Sequence, residues 1–362
     1  SLPRFIANAA GSGGGRQIGT NEFGTLDAIV KRVTNDFSAI ELPFLEAPVA
    51  SIIIPTFNQF ELTYNCIKSL HATGTSALAE IIVADDASTD AIVMLSSLVK
   101  NLRVSRNATN LGFLRNCNAA AKMARGEFLI FLNNDTLVLD GWLEPILASF
   151  SKFSTAGIVG SKLLYEDRVL QEAGGILWAD GSAWNFGNRA DARAPEFNYV
   201  RDVDYVSGAS LAIRRGVWLE LAGFDERYVP AYCEDADLCL RASSAGYRVL
   251  YQPFSQVIHL EGKSHGVDIG KVVKEYQALN SRRLYDRWRD YLSVNGQNGE
   301  RPWMNKDRRW IGRALVVDAV TPTPDRDAGS VAAFAQMLIL RDLGYKISFI
   351  PEDNFADVGT PT

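Results

Sequence analysis

The apolar positions of the chain change rhythm several times, and each change marks an element. Residues 49–54 (V-A-S-I-I-I) form an unbroken, mostly β-branched run closed by Pro55, the pattern of a buried strand. Between Phe60 and Leu70 the spacing lengthens, so that Leu62, Cys66, Ile67 and Leu70 fall on one face of a helix. Residues 80–84 (E-I-I-V-A) predict a second buried strand. It runs into D-D-A-S-T-D at 85–90, a loop rich in helix-capping residues ahead of another helix. A shorter third strand is predicted over 102–105, an alanine-rich helix over 116–125 and a fourth strand over 127–132, which ends in Asn133, Asn134 and Asp135.

Strands alternating with helices predict an α/β fold with a mostly parallel sheet and helices on both faces. In such sheets ligands bind outside the carboxyl ends of the strands, which is where this chain puts its most polar loops. From 158 to 267 the pattern becomes mixed strands and glycine-studded loops, and an amphipathic helix is predicted over 272–291. The α/β rhythm then restarts with a strand over 313–318, a polar loop over 321–329, a helix over 330–343 capped by Gly344, and a strand over 345–350. A lone βαβ unit seldom buries enough surface to stand by itself, so it is expected to dock on the preceding domain or to open another. Upstream, a G-S-G-G-G tract at 11–15 and weak helical periodicity over 20–37 read as a lead-in, followed by an extended, proline-containing linker at 42–48.

Composition narrows the class. The 362 residues are 47% hydrophobic and 22% charged, which excludes disorder over most of the length and suggests about two domains. Lys+Arg number 37 against 42 Asp+Glu, so the chain lacks the basic footprint of non-specific nucleic-acid binding. The four cysteines, Cys66, Cys117, Cys233 and Cys239, form no C-x-x-C pair, which argues against a disulfide framework or a zinc site and for a reducing compartment. No stretch approaches the ~20 apolar residues of a membrane span. The expectation is a cytoplasmic protein, with room for peripheral contact at the inner face of the plasma membrane.

Four polar constellations can carry chemistry. Pro55, Thr56, Phe57 and Asn58 follow the first strand and Asp85 and Asp86 the second; adjacent loops at a sheet edge can form one pocket, and a carboxylate there can accept bonds from a base or ribose. Plain strand-end capping explains them as readily. Asn133-Asn134-Asp135 can hold a divalent cation through Asp135, or be a turn. Glu234 and Asp235, in C-E-D-A-D-L-C-L-R, stand near a predicted helix N-terminus, where carboxylates are favoured for structural reasons and where one can also serve as a general base. His259, after a strand-like run, is a second candidate metal ligand or an ordinary loop histidine.

In order and context the set resembles glycosyltransferase family 2, with its GT-A fold, over residues 49 to about 270. The matching stretches are S-I-I-I-P-T-F-N (51–58), I-I-V-A-D-D-A-S-T-D (81–90), N-L-G-F-L-R-N-C-N (110–118), F-L-I-F-L-N-N-D-T (128–136), V-S-G-A-S-L-A-I-R-R (206–215), G-F-D-E-R-Y (223–228), E-D-A-D-L-C-L-R (234–241) and H-L-E-G-K-S (259–264). The variant resembles bacterial rhamnosyltransferase-like enzymes of surface-polysaccharide synthesis. The resemblance implies that Pro55, Thr56, Phe57, Asn58, Asp85, Asp86 and Asn110 cradle the nucleotide and that Gly112 and Phe113 shape its wall. It places Asn133-Asn134-Asp135 where the family has D-x-D, with Asn133 replacing the first Asp and Asp135 keeping the metal carboxylate for Mg2+ or Mn2+. His259 would be a further metal or diphosphate ligand, and Gly208 and Ala209 would line the sugar site. Asp235 would be the catalytic base, with Glu234 as the alternative, and Trp184 would stack on an acceptor sugar or serve as a core or lid aromatic.

The implied reaction is inverting transfer from a UDP-, dTDP- or GDP-sugar to a hydroxyl of a glycan or lipid-linked saccharide acceptor. The implied organisation is a lead-in over 1–47, a GT-A domain over 48–300 and a βαβ unit over 313–362. That unit, with P-D-R-D-A-G-S at 324–330, resembles the opening of a GT-B enzyme and would start a further glycosyltransferase domain in the same chain. A nucleotidyltransferase is the nearest enzymatic competitor, but P-T-F-N-Q-F after the first strand has neither glycines nor a basic residue. A dehydrogenase would need G-x-G-x-x-G between strand and helix, which is absent. A non-catalytic sugar- or nucleotide-binding scaffold module is the reading from another class, and release of nucleotide diphosphate from a donor would separate it from an enzyme.

Overall fold

The computed structural model describes residues 37–260 and 270–352 (for 270–274, the backbone). The glycine tract at 11–15, most of the lead-in periodicity at 20–37 and the E-G-K-S part of the last motif lie outside the described residues. The chain divides into two compact units, one within Ser1–Gly175 and Gly187–Asn280, the other within Ile176–Phe186 and Ser281–Thr362.

The first unit begins with β1 (Ala50–Thr56), α1 (Phe60–Ala72), β2 (Ala79–Asp85) and β3 (Arg103–Arg106). All seven residues of β1 and of β2 are buried, as continuous apolar runs require when both faces of a sheet are covered. In α1 the buried face is set by Tyr64, Cys66, Ile67 and Leu70, whereas Leu62, expected there, is only half-buried. The helix expected after residue 90 is a 3₁₀ turn (Ala91–Met94) running into one helical turn (Leu95–Leu98). Asp90 caps it through Ile92 N–H (3.1 Å) and also accepts from Phe60 N–H (3.0 Å) at the start of α1.

Next come α2 (Phe113–Ala121), β4 (Phe128–Leu132), β5 (Thr136–Val138), α3 (Leu143–Lys152), β6 (Ala156–Leu164) and β7 (Leu170–Glu172). They are followed by β8 (Arg201–Asp202), β9 (Ser210–Arg214), α4 (Glu234–Ser244) and β10 (Arg248–His259), and then α5 (Gly270–Leu292), whose residues from Ser281 belong to the second unit. The sheet has ten strands in the order β8-β10-β6-β9-β4-β1-β2-β3, with β5 on β10 and β7 on β6. β3, β2, β1 and β4 run parallel, β9 opposes both β4 and β6, and β10 is parallel to β6, so six long strands share one direction. Their carboxyl ends therefore open on one edge. No helix among the described residues is long and apolar enough to cross a membrane.

The second unit holds β11 (Gly312–Asp318), α6 (Ala328–Asp342) and β12 (Tyr345–Pro351), with β11 and β12 paired in parallel from Gly312↔Tyr345 to Asp318↔Pro351. Asp327 caps α6 through Ser330 N–H (2.7 Å). Gly344 supplies the positive φ of +94° that turns the chain out of the helix.

Candidate active site

The loops after β1 and β2 are tied together. Asn58 N–H donates to Ser88 Oγ (2.7 Å), and Asn58 Oδ1 accepts from Thr89 N–H (2.8 Å). Pro55 and Thr56 close β1 in buried positions, whereas the Phe57 ring is 50% exposed. Asn58, Gln59 and Ala87 adopt positive φ angles without being glycine, so these turns hold backbone strain. Asp85 accepts from Ser88 N–H (2.9 Å) and pairs with Arg106. Asp86 Oδ1 accepts from Asn107 Nδ2 and Leu111 N–H, and its Oδ2 from Gly112 N–H, each at 2.8 Å. Asn110, exposed, also accepts from Gly112 N–H (3.1 Å). Asp86 thus builds the turn carrying Asn110, Gly112 and Phe113, and Asp85 anchors a guanidinium at the edge of the same loops. Gly112 sits at φ +80° and ψ 164°, a region essentially restricted to glycine.

The loop after β4 splits its three polar residues. The Asn133 side chain is half-buried, and its N–H donates to Ala209 O (3.1 Å). Asn134 turns back into the fold, its Nδ2 donating to Thr63 Oγ1 (3.1 Å) and Thr56 Oγ1 (3.3 Å). Asp135, 3% exposed, places Oδ1 3.3 Å from His259 Nε2. His259 Nδ1 lies 3.0 Å from Gln171 Oε1. A proton on Nδ1 for that bond leaves the Nε2 lone pair facing the carboxylate, an arrangement that a cation resolves and that metal-binding histidines use. Among the described residues no group of three or more His, Cys, Asp or Glu can hold a metal ion. A carboxylate and an imidazole are donor types that a hard divalent ion accepts, with any further positions left to phosphate oxygens or water.

The third part lies between β9 and α4. Two successive left-handed residues, Tyr232 (φ +78°) and Cys233 (φ +70°), turn the chain sharply into α4, so Glu234 and Asp235 open its first turn. Gly208 N–H donates to Asp235 Oδ2 (3.0 Å), and Ala236 N–H to Asp235 Oδ1 (2.7 Å). A Cβ on Gly208 would stand 3.8 Å from Asp235 and from the Phe113 ring, so the bare backbone leaves room between them. Glu234 is buried, with Oε2 lacking a hydrogen-bond partner among the described residues; burial, and then the Asp235 charge, push its pKa up to about 8. Burial also raises Asp235, against the pull of its amide donors.

Together with the peptide links Asn133–Asn134 and Gly208–Ala209, these bonds connect Thr56, Asp86, Asn133, Asn134, Ala209, Gly208 and Asp235 at the carboxyl edge, with Asp86 N–H donating to Thr56 O (2.9 Å). Asp135 and His259 form the pair beside it. Trp184 belongs to the second unit, where it meets Trp178 edge-on at 5.2 Å. Sequence reasoning missed Gln171, which holds His259, and Glu172, whose Oε1 accepts from Ser207 N–H (3.2 Å). The available signal was a polar pair inside the apolar run V-L-Q-E-A-G-G-I-L. The cysteines are free thiols, and burial pushes Cys66 up to about 12, away from any nucleophilic role.

Residues 51–215 match the family model for glycosyl transferase family 2. This segment belongs to that family. The chain is 30% identical over 243 residues to the O-antigen biosynthesis protein RfbC of Myxococcus xanthus, covering 63% of this chain and 18% of that protein. It is 28% identical over 281 residues to the O-antigen chain rhamnosyltransferase RfbN of Salmonella typhimurium, covering 74% of this chain and 85% of that one. Curated relatives such as RfbC are thus much longer than the part this chain spans. Among solved structures, the chain resembles GalNAc-T7 with UDP, GalNAc and Mn2+ at a TM-score of 0.53 and 20% identity, over 69% of this chain and 51% of that one. The likeness is one of fold: the family 2 domain has the GT-A architecture.

Proposed function

We propose that the protein is an inverting glycosyltransferase that moves a sugar from a nucleotide diphosphate to a hydroxyl of a glycan or lipid-linked saccharide, in surface-polysaccharide synthesis. The observation that carries this reading is the hydrogen bonding of Asp235. Both of its oxygens accept backbone N–H bonds, from Gly208 and from Ala236, which favour the ionised form, while burial and then the Asp235 charge push the neighbouring Glu234 up to about 8. Asp235 takes the proton of the acceptor hydroxyl as that oxygen attacks the anomeric carbon from the side opposite the diphosphate. No covalent intermediate is needed, in keeping with thiols that burial renders inert.

The loops of Pro55–Asn58, Asp85–Asp86 and Asn110–Phe113 are proposed to take the nucleotide, with Gly208 and Ala209 along the sugar. Asp135 and His259 would hold Mg2+ or Mn2+, which supplies charge neutralisation at the departing diphosphate. The rhamnosyltransferase name of RfbN favours a deoxyhexose donor; action in the cytoplasm, near the membrane, is part of the same proposal. The unit over 312–351 is proposed to open a further transferase domain. Its exposed Leu315, Val317, Val331 and Ile339 are apolar side chains that a complete α/β domain would cover.

Asp235→Asn tests the reading. The variant keeps its affinity for UDP-, dTDP- or GDP-sugar in calorimetry and loses about 10²–10⁴-fold in transfer. Normal binding with near-normal turnover would overturn the assignment.

A further inference from the structure

Two neighbouring amides carry two different carboxyl groups. Ser207 N–H donates to Glu172 Oε1 (3.2 Å) and Gly208 N–H to Asp235 Oδ2 (3.0 Å). Glu172 comes from β7 and is 1% exposed, and its second oxygen, Oε2, is buried with no hydrogen-bond partner among the described residues. The transfer step described above leaves it unused. A buried carboxyl oxygen without a donor is costly when charged and much less so when it carries a proton. Building on the reading of Asp235 as the base, we propose that Glu172 is a positioning residue that stays protonated while Asp235 is ionised, so that the pair carries a single negative charge when the acceptor hydroxyl meets it and none once Asp235 has taken the proton.

The surroundings favour this division. Asp235, Tyr205, Tyr251, Cys239 and the Arg201 guanidinium act on or feel Glu172; Glu172, Glu234, Tyr205 and Cys239 do so for Asp235. Arg201 is the one cation of this set. Burial still pushes Glu172 up to about 8, against the Ser207 N–H and Arg201, and the Asp235 charge adds to the rise. Asp235 receives two N–H bonds and Glu172 one, so the ionised form is better served on Asp235. Two carboxyls coupled in this way titrate as a pair. On losing the second proton the pair becomes a dianion and repels the anionic diphosphate of the donor.

The test is a carboxyl-carbon NMR titration of the full chain labelled at glutamate, compared with E172Q and D235N. Glutamine keeps an oxygen for Ser207 N–H and cannot ionise. The expected result is a glutamate titrating near pH 8 that E172Q removes and D235N moves to lower pH. Titration of Glu172 in the ordinary carboxylate range, or at a pH that D235N leaves unchanged, overturns the proposal. If E172Q does not fold, E234Q, which removes the other glutamate pushed up to about 8, isolates the Glu172 signal and its D235N shift decides. With the nucleotide sugar that the wild type turns over, kcat/KM falls about tenfold per pH unit above the second ionisation. E172Q abolishes that fall and E172D keeps it; superimposable wild-type and E172Q profiles refute the assignment. D235N that still transfers sugar would refute the base reading, while the NMR result would still judge Glu172 separately.

Discussion

At the scale of single residues, the carboxylates of the sheet edge divide by what they bind. Asp86 spends both oxygens on Asn107, Leu111 and Gly112, so it is the organiser of its loop. Asp86→Ala would strand these donors and is expected to cost about 2–4 kcal/mol in urea unfolding. Gln171 acts through His259. Gln171→Leu removes the acceptor that orients the imidazole and should weaken metal-dependent nucleotide binding about 10–100-fold, with chelator-insensitive binding unchanged, as calorimetry with and without chelator would read. Glu80, at the far end of β2, shows the opposite electrostatic case. Burial alone would raise its pKa, but donors from Ser51, the Arg125 amide, Arg103 and the Arg125 side chain hold it below its ordinary 4.5. The stabilisation it gives is present above pH 4.5 and is lost as the pH falls through the lower, folded value. Unfolding midpoints should therefore drop on going from neutral to acid pH, and Glu80→Gln should show a smaller drop.

At the scale of elements, α2 and β7 show where sequence patterning stops. The strands β1, β2 and β4 were legible because apolar runs such as I-I-I and F-L-I-F-L have no other use than burial on both faces. The start of α2 was placed at 116, yet the helix begins at Phe113, because Gly112 leaves the helical region only under the hold of Asp86 from a distant loop. Gly112→Ala forces a side chain into that backbone geometry, 3.2 Å from Pro230 O, and is expected to cost about 1–3 kcal/mol in thermal or urea unfolding. β7 is three residues long and carries no alternation of its own; it exists by pairing with β6. For the same reason Gln171 and Glu172 give no signal of their own, whereas Asp85, Asp86, Asp135 and His259 stand at the ends of apolar runs and Glu234 and Asp235 at a predicted helix N-terminus. What pattern reading supplied was the inventory of chemistry at the edge. What it lacked was the hydrogen bonding that tells a structural carboxylate from a reactive one.

At the scale of the whole molecule, the second unit is not a simple C-terminal appendage. It takes in Ile176–Phe186 from the middle of the chain together with residues from Ser281 onward. Within that unit Asn295 Nδ2 donates to Leu177 O (2.8 Å), Gly299 lies against Trp184, and the Trp303 ring meets Phe186 edge-on at 5.0 Å. The apolar side chains of 176–186, Trp178 among them, thus depend on the segment running from α5 to about residue 306. Deleting everything after residue 280 should strip that cover and leave a contiguous apolar surface, giving aggregation or a depressed melting temperature. Ending the chain at residue 311 removes β11, α6 and β12 but keeps the cover, so that variant should remain soluble and retain nucleotide binding. The pair of truncations, compared by thermal melting and size-exclusion chromatography, separates the two halves of the second unit. Equal behaviour of both would mean that residues 281–311 contribute nothing to holding 176–186, contrary to the bonds between them.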